Sequence, residues 1–415
     1  MTQATRDVPA LVFSHFGFNC ADIAPLEDFY TRVLGFAVSD AGKTGLGFEM
    51  SFMTRRPWEH HQLVLAGLWP DGMASTVNQT GFLAPDLAEL RRIKARLEKD
   101  PGVSAIAGAD HGISWTLYFR DPQGHRCSIS VATPWYVPQP AYRPLDLATS
   151  DAEIAKRTEA QCRAATGFRM RTDWRAETQR ILSESGRLAS QATPSVAPTV
   201  SGGPSTIRRP AGTTLPAEPF PKIAMHQVGI YVSDLARLQA FYEQTLGYLV
   251  TGTGRMPAIG PEPAAEMVYL TRDPNQVAQL ILVSGRPANV KSNINQITFR
   301  VPNLPSLRKI DAAARATQGC SNFRPVNHGN SFSLYFDDPE GNSIEVSFES
   351  EWYVPAPSAW PLDLSLDDAT LMKVTEEKAR AWPGFMMRNE WKARSRADLT
   401  AAGRLEAEER VEHLY

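Results

Sequence analysis

One stretch in the last third of the chain gathers side chains that can carry acid–base chemistry. The run VNHGNSFSLYFDDPEGNSIE, from Val326 to Glu345, holds His328, Tyr335 and a terminal carboxylate. An imidazole with an ordinary pKa of about 6.5 and a phenol with one of about 10 can exchange protons with a hydroxylated substrate. The DPEG residues are typical of a turn, so their acidic side chains are expected to shape the chain. His328 and Tyr335 are therefore the candidate catalytic residues.

The same stretch occurs twice. The sequence HGISWTLYFRDPQGHRCSIS from His111 returns as HGNSFSLYFDDPEGNSIEVS from His328, and a Trp-Tyr-Val-Pro segment follows each. The offset stays at 217 without a gap from Gln79 to Trp174. A repeat of this length indicates a tandem duplication.

The first halves of the two copies differ slightly in length. His15 and His226 are matched as corresponding residues, and their offset of 211 implies six extra residues in the second copy. The Gly- and Pro-rich run GTGRMPAIGPEPAA, from Gly252, is the expected place for them. Residues 185–221 are rich in Ser, Thr, Pro, Gly and Ala, which predicts a linker between the copies.

Each copy is predicted to contain two β-α-β-β-β modules. Apolar runs such as AQLILVS and SFSLYFD are strand-like, whereas LARLQAFYEQTLG and LPSLRKIDAAARAT have apolar residues at helical spacing. Each copy then ends in helix formers that lead into an Arg and a Trp, Arg388 and Trp391 in the second copy. The predicted fold class is α+β, a tandem duplication of paired modules forming an open barrel-like sheet, with a helical extension after each pair. The expected domains are 1–184 and 222–415.

Composition excludes several functional classes. Apolar residues make up 43% and charged residues 21%, and no run of about 18 apolar residues could span a bilayer. The opening MTQATRDVPALVFSHFGF has no secretory pattern, so a cytoplasmic location is expected. With a net charge of −2 and scattered Lys and Arg, the sequence has no basic cluster of the kind that binds nucleic acid. Single, widely spaced cysteines predict reduced thiols: Cys20, Cys127, Cys162 and Cys320. The expected partner is a small molecule.

The stretch from Val326 resembles the motif of extradiol ring-cleavage dioxygenases in the vicinal-oxygen-chelate superfamily, which includes glyoxalases and bleomycin-resistance proteins. That motif contains a His, an aliphatic residue followed by Tyr, an acidic residue before Pro, a Gly and a final Glu. Every fixed position is met, by Val326, His328, Leu334, Tyr335, Asp338, Pro339, Gly341 and Glu345. The paired-module prediction agrees with this resemblance.

The resemblance implies a metal site. The family holds its metal with a His on the first strand of one module, a His on the first strand of the next, and a Glu on the latter's last strand. Applied here, the first is His226 in AMHQVGIYV and the third is Glu345 in NSIEVSF. The second position falls on Gln296, whose amide oxygen can ligate a hard divalent metal but donates less charge than imidazole. Fe(II) is the expected metal, with Mn(II) or another divalent ion open.

The resemblance also implies roles and partners. Three protein ligands leave metal positions for the diolate of a catechol-like substrate and for O₂. His328 would move protons, and Tyr335 would hydrogen-bond to the substrate hydroxylate. A further family histidine, the second of a His-His pair, has no match near Ala278 and Gln279. Related enzymes form assemblies, so a homo-oligomer is expected.

The first copy is expected to serve as a scaffold. It keeps His15, Gln79, His111 and Tyr118, and it has the His-His pair as His60 and His61. Ser128, however, stands at the position of Glu345, so this copy taken alone lacks a carboxylate ligand.

Two other functions stay open. Gln296 favours metal-dependent isomerase, epimerase or lyase chemistry on the same fold, with Zn, Ni, Co or Mn. A binding or sequestering protein that uses the cavity without metal is the third candidate, and the combination of His226 with Glu345 argues against it.

Overall fold

The structure, a computed structural model, describes residues 9–188, 205–208, 210, 212–259 and 262–405. The predictions made for residues 1–8 and for the linker at 189–204, 209 and 211 lie outside the described residues.

Four modules with the same order, one strand, one helix and three strands, form the body of the protein. The first contains β1 (Val12–Asn19), α1 (Ile23–Arg32), β2 (Ala37–Lys43), β3 (Glu49–Thr54) and β4 (Leu63–Ala66). The second contains β5 (Val77–Leu83), α2 (Leu87–Leu97), β6 (Ser104–Asp110), β7 (Ser114–Arg120) and β8 (Arg126–Ala132). The third contains β12 (Ala224–Val232), α5 (Leu235–Gln244), β13 (Leu249–Met256), β14 (Ala265–Thr271) and β15 (Leu280–Ser284). The fourth contains β16 (Ile294–Arg300), α6 (Leu304–Ala316), β17 (Ser321–Asn327), β18 (Ser331–Asp337) and β19 (Ser343–Glu349).

A helical extension follows the second and the fourth module. The first extension contains β9 (Trp135–Tyr136), β10 (Arg143–Pro144), α3 (Asp151–Ala164), β11 (Arg169–Met170) and α4 (Arg171–Glu184). The second contains β20 (Trp352–Tyr353), β21 (Trp360–Pro361), α7 (Asp368–Arg380), β22 (Met386–Met387) and α8 (Arg388–Ala401). The predicted α+β class, the duplicated module order and the closing helices are thus confirmed. No helix in the described ranges is both long enough and apolar enough to span a bilayer.

The modules pair across the two copies rather than within them. One nine-stranded sheet has the order β2-β3-β4-β1-β16-β19-β18-β17-β21, which joins the first module to the fourth. The other has the order β10-β6-β7-β8-β5-β12-β15-β14-β13, which joins the second module to the third. The junctions are the antiparallel pairs β1 with β16 and β5 with β12. Each sheet therefore takes one half from each repeat.

Successive residues along the strands face the core and the site in turn. In β18, Phe332, Leu334 and Phe336 are fully buried on one face, while Tyr335 lies on the other. The strands of the fourth module share this period of two, because successive strand residues point to opposite faces. Helix α6 packs on the apolar face of these strands through residues such as Leu307. The polar residues line the opposite, concave face.

The strand register corrects the matching of the first halves. His15 pairs with Thr298 across β1 and β16, and Gln227 pairs with Gly81 across β12 and β5. Thr298 and Gly81 are corresponding residues at the offset of 217, so Gln227 corresponds to His15. His226 corresponds to Ser14, and each of the two lies at the bulge of its strand. The offset is therefore 212, and the second copy has five extra residues rather than six.

The extra residues lie in the region expected for them. Asp40 pairs with Phe52 in the β2–β3 hairpin, and Gly252 pairs with Tyr269 in the β13–β14 hairpin. The offset changes from 212 to 217 between Gly252 and Tyr269, which places the insertion in the second hairpin.

The described part of the predicted linker packs against both repeats. Arg208 forms an isolated bridge with Val38 in the first module. Thr206 donates its hydroxyl to the Oδ2 of Asp398 in α8, at 2.8 Å. These contacts tie the connection to the sheet that joins the first and fourth modules.

Candidate metal centre

Four polar residues form one row across adjacent strands on the concave face. His15 on β1 pairs with Thr298 on β16, Thr298 pairs with Glu345 on β19, and Glu345 pairs with Tyr335 on β18. Gln296 lies two residues before Thr298 and so shares its face. This row brings the first module's histidine to the fourth module's carboxylate.

Three potential ligand atoms of this row converge. The Nε2 atom of His15 lies 3.2 Å from Oε2 of Glu345 and 2.9 Å from the side-chain nitrogen of Gln296. That amide nitrogen is 3.1 Å from the same carboxylate oxygen. All three side chains are buried, and the Thr298 hydroxyl donates a hydrogen bond of 2.8 Å to Glu345. The three atoms form one compact triangle.

The triangle has the size that a divalent ion requires. Two ligand atoms bound at right angles to an octahedral ion, each at about 2.1 Å, are about 3.0 Å apart. The three separations here are 2.9, 3.1 and 3.2 Å. Turning the Gln296 amide by a half rotation presents its oxygen, and amide orientation is an assignment made from hydrogen bonding. The residues therefore fit one ion held on a single face by a nitrogen and two oxygens.

The sequence-predicted set is brought together only in part. Gln296 and Glu345 meet in the triangle, but His226 lies on β12 in the other sheet, where it lines a separate cavity. Its place is taken by His15, because the fourth module pairs with the first and not with the third. In the described ranges no group of three or more His, Cys, Asp and Glu side chains is arranged to hold a metal. A site on His15 and Glu345 thus depends on Gln296 as its third protein ligand.

A chain of imidazoles leads from the triangle to a buried carboxylate. His15 Nε2 lies 3.0 Å from Nε2 of His61, and the two Nδ1 atoms of His61 and His60 are 2.8 Å apart. His60 Nε2 is 2.7 Å from Oδ2 of Asp40. All four residues belong to the first module, which is part of the copy that the sequence predicted to be a scaffold. The histidine pair missing from the second copy is therefore supplied by the first, and the sequence signal was the adjacent His-His itself.

Hydrogen bonding fixes the tautomers along this chain. The Asp40 carboxylate can only accept, so His60 carries its proton on Nε2. In the arrangement in which His60 Nδ1 accepts from Nδ1–H of His61, the lone pair of His61 is on Nε2 and faces His15. Burial, with the nearby charge of Arg300 adding to it, holds the pKa of His61 well below its usual range. His61 is thus a neutral imidazole with its basic nitrogen turned toward the triangle.

His328 and Tyr335 form a second proton-bearing pair at the edge of the site. His328 Nδ1 lies 2.5 Å from the Ser358 carbonyl, which can only accept, so this nitrogen carries the proton. The other nitrogen, Nε2, accepts from the Tyr335 hydroxyl at 3.1 Å. Burial and the charge of Glu345 raise the pKa of Tyr335, so the phenol stays protonated.

A glycine holds the turn after this histidine. Gly329 has φ of +72°, a backbone conformation that residues other than glycine rarely adopt. A Cβ atom added there would lie 2.7 Å from atoms of Trp360 and Val354. Gly112 repeats this conformation after His111 in the second module.

Charged side chains surround the carboxylate of the triangle. Burial raises the pKa of Glu345, but the hydrogen bond and charge of His15 and the charge of His328 outweigh it and lower that pKa to about 2. Nearby, the Arg300 guanidinium lies 2.6 Å from Glu59 and 3.2 Å from Glu349. Glu345 is therefore ionised, as a metal ligand must be.

The Trp-Tyr-Val-Pro segment bounds the site on its histidine side. The Tyr353 hydroxyl donates to Oδ2 of Asp40 at 2.9 Å, and the Trp391 ring lies 5.5 Å from that of His60. Tyr353 and Trp391 stack with their centroids 5.4 Å apart. The helical extension thus orients His60, a role that the sequence did not indicate.

The other sheet repeats the row with different residues. Gln227, Gln79 and Ser128 occupy the positions of His15, Gln296 and Glu345. The pair of His111 and Tyr118 is kept, with 2.9 Å between Nε2 and the phenol oxygen. Two amides and a hydroxyl make a poor ligand set for a metal, in line with the expectation for Ser128.

Residues 12–129 and 224–346 match the family model described as the Glyoxalase/Bleomycin resistance protein/Dioxygenase superfamily. These two ranges make up more than half of the chain, and the chain belongs to this superfamily.

Individual relatives are distant. Biphenyl-2,3-diol 1,2-dioxygenase 3 of Rhodococcus globerulus is 28% identical over 130 residues, which are 29% of this chain and 65% of that protein. The match therefore spans less than two thirds of the relative's length. Glyoxalase I from Zea mays is 13% identical with a TM-score of 0.44, over 82% of this chain and 92% of that one. The 2,3-dioxygenase LapB from Pseudomonas sp. KL28 is 15% identical with a TM-score of 0.27, over 86% and 97%.

Proposed function

We propose that this chain is a metal-dependent extradiol-type dioxygenase that opens a catechol-like aromatic ring with O₂. His15, Gln296 and Glu345 hold the metal in this proposal. The observation that carries it is the triangle of ligand atoms, whose three sides of 2.9 to 3.2 Å suit a single divalent ion. The Rhodococcus globerulus relative, named for an aromatic vicinal diol, supports the substrate class.

When bound, Fe(II) or Mn(II) supplies free coordination positions that a diolate and O₂ can share. The remaining chemistry belongs to the side chains. His61 accepts the first proton from a substrate hydroxyl at Nε2, because its neutral ring turns that lone pair toward the triangle. Asp40 and His60 hold the ring in this tautomer through bonds of 2.7 and 2.8 Å.

The pair of Tyr335 and His328 acts on the other side of the substrate. Tyr335 donates a hydrogen bond to the substrate oxygen, and His328 Nε2 returns or accepts the proton that the phenol passes on. The Ser358 carbonyl keeps His328 in the tautomer that leaves Nε2 free to do this. Two imidazoles, those of His61 and His328, thus face the substrate from two different modules.

Gln296 favours a second candidate. Gln in place of His gives the metal a neutral oxygen, and a nitrogen and two oxygens suit Zn, Ni, Co or Mn in an isomerase, epimerase or lyase. In that case His61 and His328 would still move protons, and O₂ would not be consumed.

One experiment separates these functions. The full chain is purified without oxygen, its metal is measured by mass spectrometry, and oxygen uptake is followed on a panel of catechols. His15→Ala and His226→Ala serve as matched variants, since each removes one strand histidine from one sheet. We expect one Fe or Mn per chain with oxygen uptake, both lost in His15→Ala and both kept in His226→Ala.

The other outcomes are equally specific. A different metal without oxygen uptake would select the isomerase or lyase candidate. Absence of metal from the wild-type protein would leave a binding protein on this fold. Metal loss in His226→Ala with retention in His15→Ala would overturn the ligand set.

A further inference from the structure

A second cavity, of about 200 Å³, lies between the second and third modules. It is bounded by strands of the other sheet, and none of the three residues proposed to hold the metal lines it. The cavity occupies the place in its sheet that the metal triangle occupies in the first, because His111, Tyr118, Gln79 and Gln227 all line it. This cavity takes no part in the proposed function.

The second cavity lacks the carboxylates of the metal centre. Glu345 belongs to the triangle and Glu59 and Glu349 lie near it, whereas their counterparts in the other sheet are Ser128, Gln276 and Ala132. The charged residues lining the second cavity are three arginines and one glutamate: Arg120, Arg126, Arg171 and Glu262. The lining thus has an excess of positive charge, which favours an anionic ligand.

Arg126 and Arg120 are the cations that this site has gained, and in the described part of the chain only Arg120 is in an ion pair. The counterpart of Arg126 in the fourth module is Ser343, and the Arg126 guanidinium lies 4.0 Å from the centre of the Tyr118 ring. Its hydrogen bond goes to the neutral Gln79, at 3.4 Å, and among the described residues it forms no ion pair. Arg120, by contrast, pairs with Glu262 at 2.5 Å. Arg126 is therefore the arginine available to a carboxylate.

Several polar atoms in the cavity wall lack partners. Both ring nitrogens of His226 are buried without a hydrogen bond in the described part of the chain. The same holds for side-chain amide oxygens of three further lining residues: Asn78, Asn275 and Gln276. Buried polar groups are normally paired, and an unpaired one costs about 1–3 kcal/mol. These acceptors call for a ligand that carries a hydrogen-bond donor.

The remaining wall is apolar and aromatic. Tyr118, Tyr269, Ile281, Val283 and Met267 line it. Flat apolar ligands pack well against such side chains, and a few polar groups fix their orientation.

We propose that this second cavity binds a hydroxylated aromatic carboxylate, with its carboxylate on Arg126 and its hydroxyl donating to one of the unpaired amide oxygens. The ring lies against the apolar wall near Tyr269. No metal is involved, so this site is independent of the triangle at Glu345.

Calorimetric titration of the full chain with 4-hydroxybenzoate tests this site. 4-Hydroxybenzamide is the neutral analogue, and benzoate lacks the hydroxyl. Arg126→Ser copies the residue at position 343, Arg126→Lys keeps the charge, and Arg163→Ser removes an arginine that stacks on Phe168 outside the cavity. Glu345→Gln reports on the metal side. Thermal unfolding of each variant checks its folding.

We expect 4-hydroxybenzoate to bind about tenfold more tightly than either analogue, and Arg126→Ser to weaken it by about tenfold. Arg126→Lys, Arg163→Ser and Glu345→Gln are expected to bind as the wild type within a few-fold. Equal binding of the amide, unchanged binding in a folded Arg126→Ser, loss of binding in Glu345→Gln, or no binding at millimolar concentration would overturn the proposal. If Arg126→Ser does not fold, the comparison of acid with amide on the wild type decides.

Discussion

His15 Nε2 lies 3.2 Å from Oε2 of Glu345, although 330 residues separate them in the chain. The contact exists because β1 and β19 flank the same central strand, β16. A carboxylate from the second repeat thus meets a potential metal-binding histidine from the first. The two repeats contribute different residues to one centre. Substitutions at matched positions should therefore have different effects on metal content and activity.

Replacing Glu345 with Ala is expected to release the metal and abolish activity. The side chain is the sole carboxylate of the triangle, and its loss leaves a nitrogen and a neutral amide. Ser128→Ala, at the matched position of the other sheet, should leave metal and activity unchanged. Metal per chain after dialysis measures both, and retained metal in the Glu345 variant would contradict the site.

Gln296→His should bind the metal more tightly, by about tenfold, because imidazole donates more charge than an amide oxygen. Competition with a chelator of known affinity measures the change. Gln79→His is the matched control and should leave metal affinity unaltered. Weaker binding in the Gln296 variant would mean that the amide is not a ligand.

Asp40→Asn is expected to lower kcat by about ten- to hundredfold while metal content stays the same. Asp40 touches neither metal nor substrate in our proposal, and it acts by holding His60 and thereby His61. Tyr353→Phe removes another contact to the same carboxylate and should have a smaller effect. The pH profile of kcat should also move, since His61 loses its fixed tautomer. An unchanged profile would count against this positioning role.

The free energy of unfolding should depend on pH through His226. Burial lowers the pKa of His226 from 6.5 to about 3, against a smaller effect of Gln276. Below pH 6.5 the unfolded chain therefore binds the extra proton first, and stability present above that pH is lost as pH falls toward 3. By pH 5 the loss is about 2 kcal/mol.

His226→Ser, which copies Ser14, should remove this dependence. Denaturant unfolding of the metal-free protein at pH 7 and pH 5 measures it. The raised pKa values of Asp121 and Asp338, about 7 and about 6 and both caused first by burial, act in both proteins and cancel. A drop of equal size in the two proteins would sink the prediction.

Much of the fold follows from local sequence. The strand and helix periodicities gave the module order, and the matched DPEG and DPQG turns gave the duplication. The pairing of His328 with Tyr335 follows as well, because both belong to one module and their spacing recurs at His111 and Tyr118.

The partnership of the modules could not be predicted in this way. Each module presents the same kind of open strand edge, so pairing within a repeat and pairing between repeats satisfy identical local patterns. The matching of His15 with His226 failed for a related reason. His226 lies one position before the residue that corresponds to His15, and in a strand one residue exchanges the faces. Identity of the residue type suggested His226, whereas geometry favours Gln227.

The pairing of β1 with β16 also sets an order of events during synthesis. The first module emerges from the ribosome early, but the strand that completes its edge, Ile294–Arg300, follows after the first repeat and the whole third module. Until then β1, which carries His15, has an unpaired edge. An exposed strand edge of this kind can pair with another chain. The junction that creates the centre therefore cannot close until the first repeat and the third module have been synthesised.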